Sequence, residues 1–150
     1  MGTKLDHAPW HVRFFGRFLK LLLENGIPLG FNRLVTIKGR RSGRPRVTPL
    51  AVIRVDDRRW VWAPWGEVQW VRNLRATGRA SITERGQVEE VAANELSQAQ
   101  RVAFFRDVLR PVAHGIPLGR WFIRAVDGVD VDHPDEAAAG SRVFELHAAR

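Results

Sequence analysis

The chain has 150 residues, enough for one sizeable core, and 45% of them are hydrophobic, ordinary for a globular protein. Against 16 acidic side chains stand 24 basic ones, mostly arginine, so the formal charge of +8 favours anionic partners. Cysteine and tyrosine are both missing, which excludes disulfides, thiolate metal sites, cysteine nucleophiles and phenolic proton donors.

Residues 10–24, WHVRFFGRFLKLLLE, have helical spacing. Trp10, Phe14, Phe18, Leu21 and Leu22 share one face, Arg13, Arg17, Lys20 and Glu24 the other, and Gly26 and Pro28 end the helix. Burying the apolar face is worth on the order of 8–15 kcal/mol gross, so it will not stay in water. Two readings are open: the helix caps the core, or it lies on an anionic membrane surface. No apolar run reaches the roughly 18 residues of a membrane span. Arg13, Arg17 and Lys20 also interrupt what would be a secretory signal. The expected location is the cytoplasm, with the inner face of the cell membrane as a possible docking surface.

LVTIKG reads as a strand entering a turn, and VTPLAVIRV as a second strand leaving it. Asp56 and Asp57 form the next turn, and RRWVWA is a third strand. A helix begins near Gln69, since Trp70, Val71 and Leu74 have helical spacing. Residues 79–93 form a hairpin turning at Arg85-Gly86. Ser97, with Gln100 three residues on, is a capping box that opens a further helix. Its stripe is Val102, Phe105 and Leu109, and Pro111 is expected to end it. GIPLG occurs at 26–30 and again at 115–119, each time after a helix and before an apolar stretch, FNRLVTI or RWFIRAV, which reads as shared helix-stop chemistry. Residues 127–141 read as an acidic loop before a last strand, RVFELH; Asp130, Asp132, His133 and Asp135 fit no standard metal-ligand spacing, so no metal is expected. Short strands in hairpins, with helices between and at the ends, predict a mainly β fold with some α: one domain over 1–150, a small barrel with peripheral helices, carrying 1–28 as an N-terminal helical extension.

The stretch GRRSGRPRVTPL, residues 39–50, concentrates the chemistry. Arg40, Arg41, Arg44 and Arg46 lie within seven positions, and glycines let backbone N–H groups aim at one point, as in an anion-binding nest. Ser42 and Thr48 add neutral donors, while Pro45 and Pro49 stiffen the approach. The pattern suits a phosphate; a solvated basic loop is the plainer alternative. No Walker or GxGxxG pattern is present. Trp60, Trp62, Trp65 and Trp70 fall within eleven residues. Trp60 and Trp62 share a strand face and can serve as core. Trp65, between Pro64 and Gly66, and Trp70 could instead border a flat ligand beside the guanidinium groups.

TIKGRRSGRPRVTPL, a hairpin ending in WAPWG, then WVRNLR and RASITE together resemble the deazaflavin (F420)-dependent nitroreductase family, split β-barrel (FMN-binding-like) oxidoreductases known mainly from actinobacteria. The match covers about residues 34–93. It implies coenzyme F420, an 8-hydroxy-5-deazaflavin with a phosphate and an oligoglutamate tail; FMN, used by related barrels, is the rival cofactor. Carried over by position, Arg40, Arg41 and Ser42 meet the phosphate and tail, and Arg46, Thr48 and Pro49 line the wall by the ring. Ala63, Pro64 and Trp65 take the place of a second coenzyme loop, and Trp70 and Asn73 stand on the helix that closes the site. The chain departs from the family at Pro64-Trp65-Gly66, where members often carry Ser-Lys and more glycine, and in having no tyrosine near the acceptor. His114 is a candidate substitute proton donor; the plainer alternative is a surface histidine closing a helix.

The implied activity is hydride transfer from reduced deazaflavin to a conjugated acceptor such as a quinone, enone or nitro compound. A lipophilic acceptor at a membrane fits the N-terminal helix. A non-catalytic binder of deazaflavin, haem or fatty acid is the second class. The +8 charge suggests nucleic acid as a third, but no nucleic-acid motif is present and none is expected as a partner.

Overall fold

The computed structural model describes residues 32–64, 66–115 and 132–149. The expected helix over 10–24, the apolar stretch RWFIRAV after the second GIPLG, and Trp65 lie outside them, whereas FNRLVTI after the first supplies a strand from Asn32 on. Six strands form a closed antiparallel barrel: β1 (Asn32–Lys38), β2 (Pro45–Val55), β3 (Arg58–Ala63), β4 (Arg79–Glu84), β5 (Gln87–Glu95) and β6 (Arg142–Ala148). Their order around the barrel is β1-β2-β3-β6-β5-β4, and β4 returns to β1 through Leu34 opposite Thr83. This is the barrel with peripheral helices that the short alternating strands imply.

Strand alternation divides the apolar residues into two clusters. Val35, Ile37, Leu50, Val61, Ala63, Ala80, Ile82, Val91, Phe144 and Leu146 fill the barrel, joined by Val71 and Leu74 of helix α1 (Gln69–Thr77). Trp60 and Trp62 point the other way from Val61. With Ile53 and Val143 they cover the outer wall beneath the remaining helices. Both tryptophans are therefore core: Trp60 packs on Phe104 at 5.7 Å between centroids and Trp62 on Phe105 at 5.8 Å.

The outer layer corrects two expectations. The helix opened by the Ser97–Gln100 capping box does not stop at Pro111. This helix, α2, runs as Gln98–Phe104, widens to a π-helix over Phe105–Leu109, and continues as Arg110–His114. Proline cannot donate back and its ring crowds the preceding turn. The widened turn, in which Arg110 N–H reaches the Phe105 carbonyl, comes just before Pro111 and opens that space. It also rotates the face, so that Phe104 is buried along with Phe105 and Leu109. The expected acidic loop likewise contains a helix, α3 (Pro134–Gly140). Pro134 stands in its first turn with Asp135 and Glu136, which suit a helix N-terminus, and alanines follow. Ala137 and Ala138 bury against the outer cluster.

The turn at Arg85-Gly86 joins β4 to β5, both residues with positive φ (49° and 79°), as a two-residue hairpin turn of this hand requires. Among the described residues no helix is long and apolar enough to cross a membrane.

Candidate active site

Chain direction fixes which loops share an end of the barrel. The β1–β2 turn carrying the arginines, the exit of β3 at Ala63-Pro64, and α1 all lie at one mouth. The β2–β3 and β4–β5 turns lie at the other. Within the turn, Gly39 N–H donates to the Arg44 carbonyl at 2.9 Å, and Gly43 N–H donates to the Gly39 carbonyl at 2.9 Å. Gly43 has φ 70°, a left-handed conformation that favours glycine. Gly39 is needed for a different reason. A β-carbon there would stand 2.8 Å from Ser42 Oγ and 3.4 Å from Arg46 Nε. A hydroxyl and a guanidinium thus converge over a bare backbone.

The turn is anchored from α1. Asn73 is 5% exposed, and its Oδ1 accepts from the Arg40 backbone N–H at 3.1 Å and from Arg40 Nη1 at 2.8 Å. Arg40 Nη1 also donates to Gln69 Oε1 at 3.0 Å. Arg40 and Asn73 therefore serve first as a clamp between turn and helix. Ser42 Oγ accepts from the Arg44 N–H at 3.2 Å, which keeps the hydroxyl over Gly39. Among the described residues, the guanidinium groups of Arg41, Arg44 and Arg46 have no hydrogen-bond or ion-pair partner. Elsewhere arginines are largely paired, as in Arg58–Glu145, Arg59–Glu89 and Arg142–Glu67.

Register places the other expected residues. Arg46 is opposite Ile37 and Thr48 opposite Val35, so both share the inward face with buried neighbours at this mouth. Pro49, one residue on, takes the opposite face and does not share a wall with Thr48. Ala63 is 1% exposed, and its methyl belongs to the barrel core. Its carbonyl accepts from Gly66 N–H at 3.2 Å, and Pro64 is the half-buried residue that rims the loop. Trp70, in the first turn of α1, is half-buried against Phe144 at 6.1 Å. His114 ends α2 on the outer layer, where its Nε2 is 2.9 Å from Asp132 Oδ1. No described contact brings it to the arginine turn.

Residue spacing did not reveal the network that holds the 64–68 loop. Glu67 accepts from Arg75 Nη1 and Nη2 at 2.8 and 2.7 Å and from Arg142 Nε at 2.9 Å. Arg75 Nε and Nη2 also donate to Glu95. The Arg75 hydrogen bonds, helped by Arg142 and opposed by burial, hold the Glu67 carboxyl down to about 2. These residues come from a loop, α1, β5 and β6, so their proximity exists only once the barrel closes.

No functionally curated protein matches the chain. Among solved structures it is similar to an F420-H2 dependent reductase, FDR-A, at 18% identity, covering 78% of this chain and 94% of that one with a TM-score of 0.51. A candidate pyridoxamine 5′-phosphate oxidase from Listeria innocua matches at 6% identity over 89% and 93%, TM-score 0.51. A candidate 5-nitroimidazole antibiotic resistance protein from Bacteroides thetaiotaomicron matches at 13% over 87% and 80%, TM-score 0.50. At such identities the likeness establishes the split-barrel fold and no more. The sequence model of the F420H(2)-dependent quinone reductase matches residues 23–115, well over half of the chain. That span includes the arginine turn and the helix that clamps it, and the chain belongs to this family of F420-dependent oxidoreductases.

Proposed function

We propose that the protein passes a hydride from reduced F420 to a quinone, with the coenzyme's anionic tail held at the arginine turn. The observation that carries the placement is the set of three arginines there, Arg41, Arg44 and Arg46, without a partner among the described residues, beside a glycine that keeps Ser42 and Arg46 converging. A tail with a phosphate and several carboxylates matches three guanidinium groups better than the single phosphate of FMN does. The residues therefore fit the group that the family uses.

When bound, the reduced deazaflavin supplies the hydride. Arg41, Ser42 and Arg46 bind its anionic part, with Arg44 at the rim. Arg40 acts through Asn73 and Gln69 to fix the turn, so the binding groups are ordered before the ligand arrives. Thr48 and Trp70 stand at the same mouth and limit water near the ring, and the Glu67–Arg75–Glu95 network fixes the facing loop. Transfer depends on register, because reacting atoms must approach to about 3–3.5 Å. A quinone that accepts a hydride becomes a hydroquinone anion, which water can protonate. A nitro group must lose oxygen as water and needs protons delivered at the acceptor. A chain without tyrosine, whose His114 is engaged with Asp132 on the outer layer, suits the quinone better.

Titration of the purified protein with F420 and with FMN, followed by tryptophan quenching, tests the coenzyme. The expected result is micromolar binding of F420 and weaker binding of FMN. Tighter binding of FMN would reject the assignment. A panel of menadione, a cyclic enone and a nitroaromatic, each supplied with reduced F420, tests the acceptor, with menadione expected to turn over fastest.

A further inference from the structure

The barrel has a second mouth, and it is not bare. A pocket of about 520 Å³ is lined there by Arg33, Arg54, Arg59, Arg85, Glu84 and Glu89 over an apolar floor of Val52 and Ile82. Arg54 and Arg59 are directly opposite each other on β2 and β3, on the face that also carries Val52 and Val61 toward the interior. Like charges opposite each other across a strand pair oppose folding unless something neutralises them. Glu89 does so for Arg59, through two hydrogen bonds of 2.7 and 2.8 Å, and Glu84 does so for Arg33 at 2.8 Å. Four arginines thus meet two glutamates. Among the described residues neither Arg54 nor Arg85 donates a hydrogen bond to any carboxylate.

We infer that this far mouth is an anion site, taking a small amphiphile whose phosphate or carboxylate head meets Arg54 and Arg85 while a short apolar tail lies on Val52 and Ile82. The head completes the charge that the two glutamates leave unbalanced. The floor explains why a bare inorganic anion would bind less well. Arg46 and Arg54 are eight residues apart on β2, about 26 Å at roughly 3.3 Å per residue. A ligand at this mouth therefore cannot receive a hydride from a coenzyme at the other, and the site is one of binding or regulation. The anion site itself stands apart from the proposed coenzyme placement; only its separation from the hydride transfer rests on that placement.

The test is isothermal titration of the full chain with hexyl phosphate, hexanoate, inorganic phosphate and neutral hexanol, on wild type and on Arg54→Gln/Arg85→Asn. Both side chains are exposed, and asparagine tolerates the left-handed backbone at position 85, so the variant should fold. Wild type should bind hexyl phosphate or hexanoate at least several-fold tighter than inorganic phosphate or hexanol. The double variant should lose about 10- to 100-fold, as expected for charge-assisted hydrogen bonds. Its F420 affinity should be unchanged. Phosphatidylglycerol vesicles distinguish the source: binding of dissolved hexyl phosphate with no variant-sensitive retention on vesicles marks a soluble ligand, whereas variant-sensitive retention marks a lipid headgroup. No binding by wild type, equal binding by the double variant, or displacement of hexyl phosphate by F420 would each overturn the inference.

Discussion

Asn73→Leu should loosen the arginine turn from the barrel and weaken coenzyme binding without touching a binding group. In the wild type one carboxamide oxygen accepts two hydrogen bonds, from the Arg40 backbone N–H at 3.1 Å and from its guanidinium at 2.8 Å. A neutral bond contributes about 0.5–1.5 kcal/mol and a charged one about 1.5–3 kcal/mol. Arg40 is half-exposed and keeps Gln69, so water and that amide recover part, leaving a loss of about 2 kcal/mol. For a domain of this size that lowers Tm by about 4–8 °C. Leucine suits the helix and is close in volume, so α1 should persist. Freed from its clamp, the turn must be ordered by the ligand, and F420 affinity should fall by about tenfold or more. Asn73→Asp, which keeps an acceptor opposite Arg40, should retain most of both properties. Thermal unfolding and a fluorescence titration read the two effects. Asn73→Leu with wild-type Tm and wild-type affinity would refute the clamp.

Other perturbations separate binding from stability. Arg41→Ala removes an unpartnered guanidinium, so F420 affinity should drop about 10- to 100-fold while Tm stays within a degree or two of wild type; a titration and a melt on one sample check this. Glu67 is held below its unfolded value, so its contribution to stability is full above about pH 4.5 and is lost as pH falls toward 2. That contribution is bounded by about 3 kcal/mol before solvent screening and should be about 1–2 kcal/mol after it. Glu67→Gln should therefore lower denaturant stability at pH 7 and flatten its fall between pH 4.5 and 2. Gly86→Ala should cost about 1 kcal/mol through its positive φ, since no atom lies where the new methyl would stand, and urea unfolding at neutral pH measures it.

Local patterns carried most of the described fold. Alternation in RRWVWA separates Trp60 and Trp62 from Val61 and Ala63, and that separation divides the outer cluster from the barrel interior. The Ser97–Gln100 box and the Arg85-Gly86 turn are short-range chemistry and appear where the residues place them. The extension of α2 past Pro111 was not legible, because proline ordinarily ends a helix and only packing of Phe104, Phe105 and Leu109 on the barrel sustains the widened turn. At the mouth with the β1–β2 turn the density of arginine was plain from residues 40–46, but the contacts of Arg40 were not. Its partners Asn73 and Gln69 lie 33 and 29 positions away, and Glu95 lies 20 from Arg75, so packing of the helix on the barrel brings them together. Ala63 and Pro49 show the converse: a match of residue types fixes neither burial nor strand face, and the strands bury the Ala63 methyl in the barrel core and turn Pro49 to the face opposite Arg46 and Thr48.

The most direct measurement is anaerobic single-turnover oxidation of reduced F420 by menadione, run with wild type and with Arg41→Ala at saturating quinone. Wild type should convert coenzyme and quinone in equal amounts, with saturation in reduced F420. Arg41→Ala should need a roughly 10- to 100-fold higher coenzyme concentration to reach a similar maximal rate, because the arginine holds the tail and does not take part in the transfer. No quinone-dependent oxidation by a protein that binds F420, or an unchanged coenzyme dependence in Arg41→Ala, would contradict hydride transfer to quinone from a coenzyme held at the arginine turn.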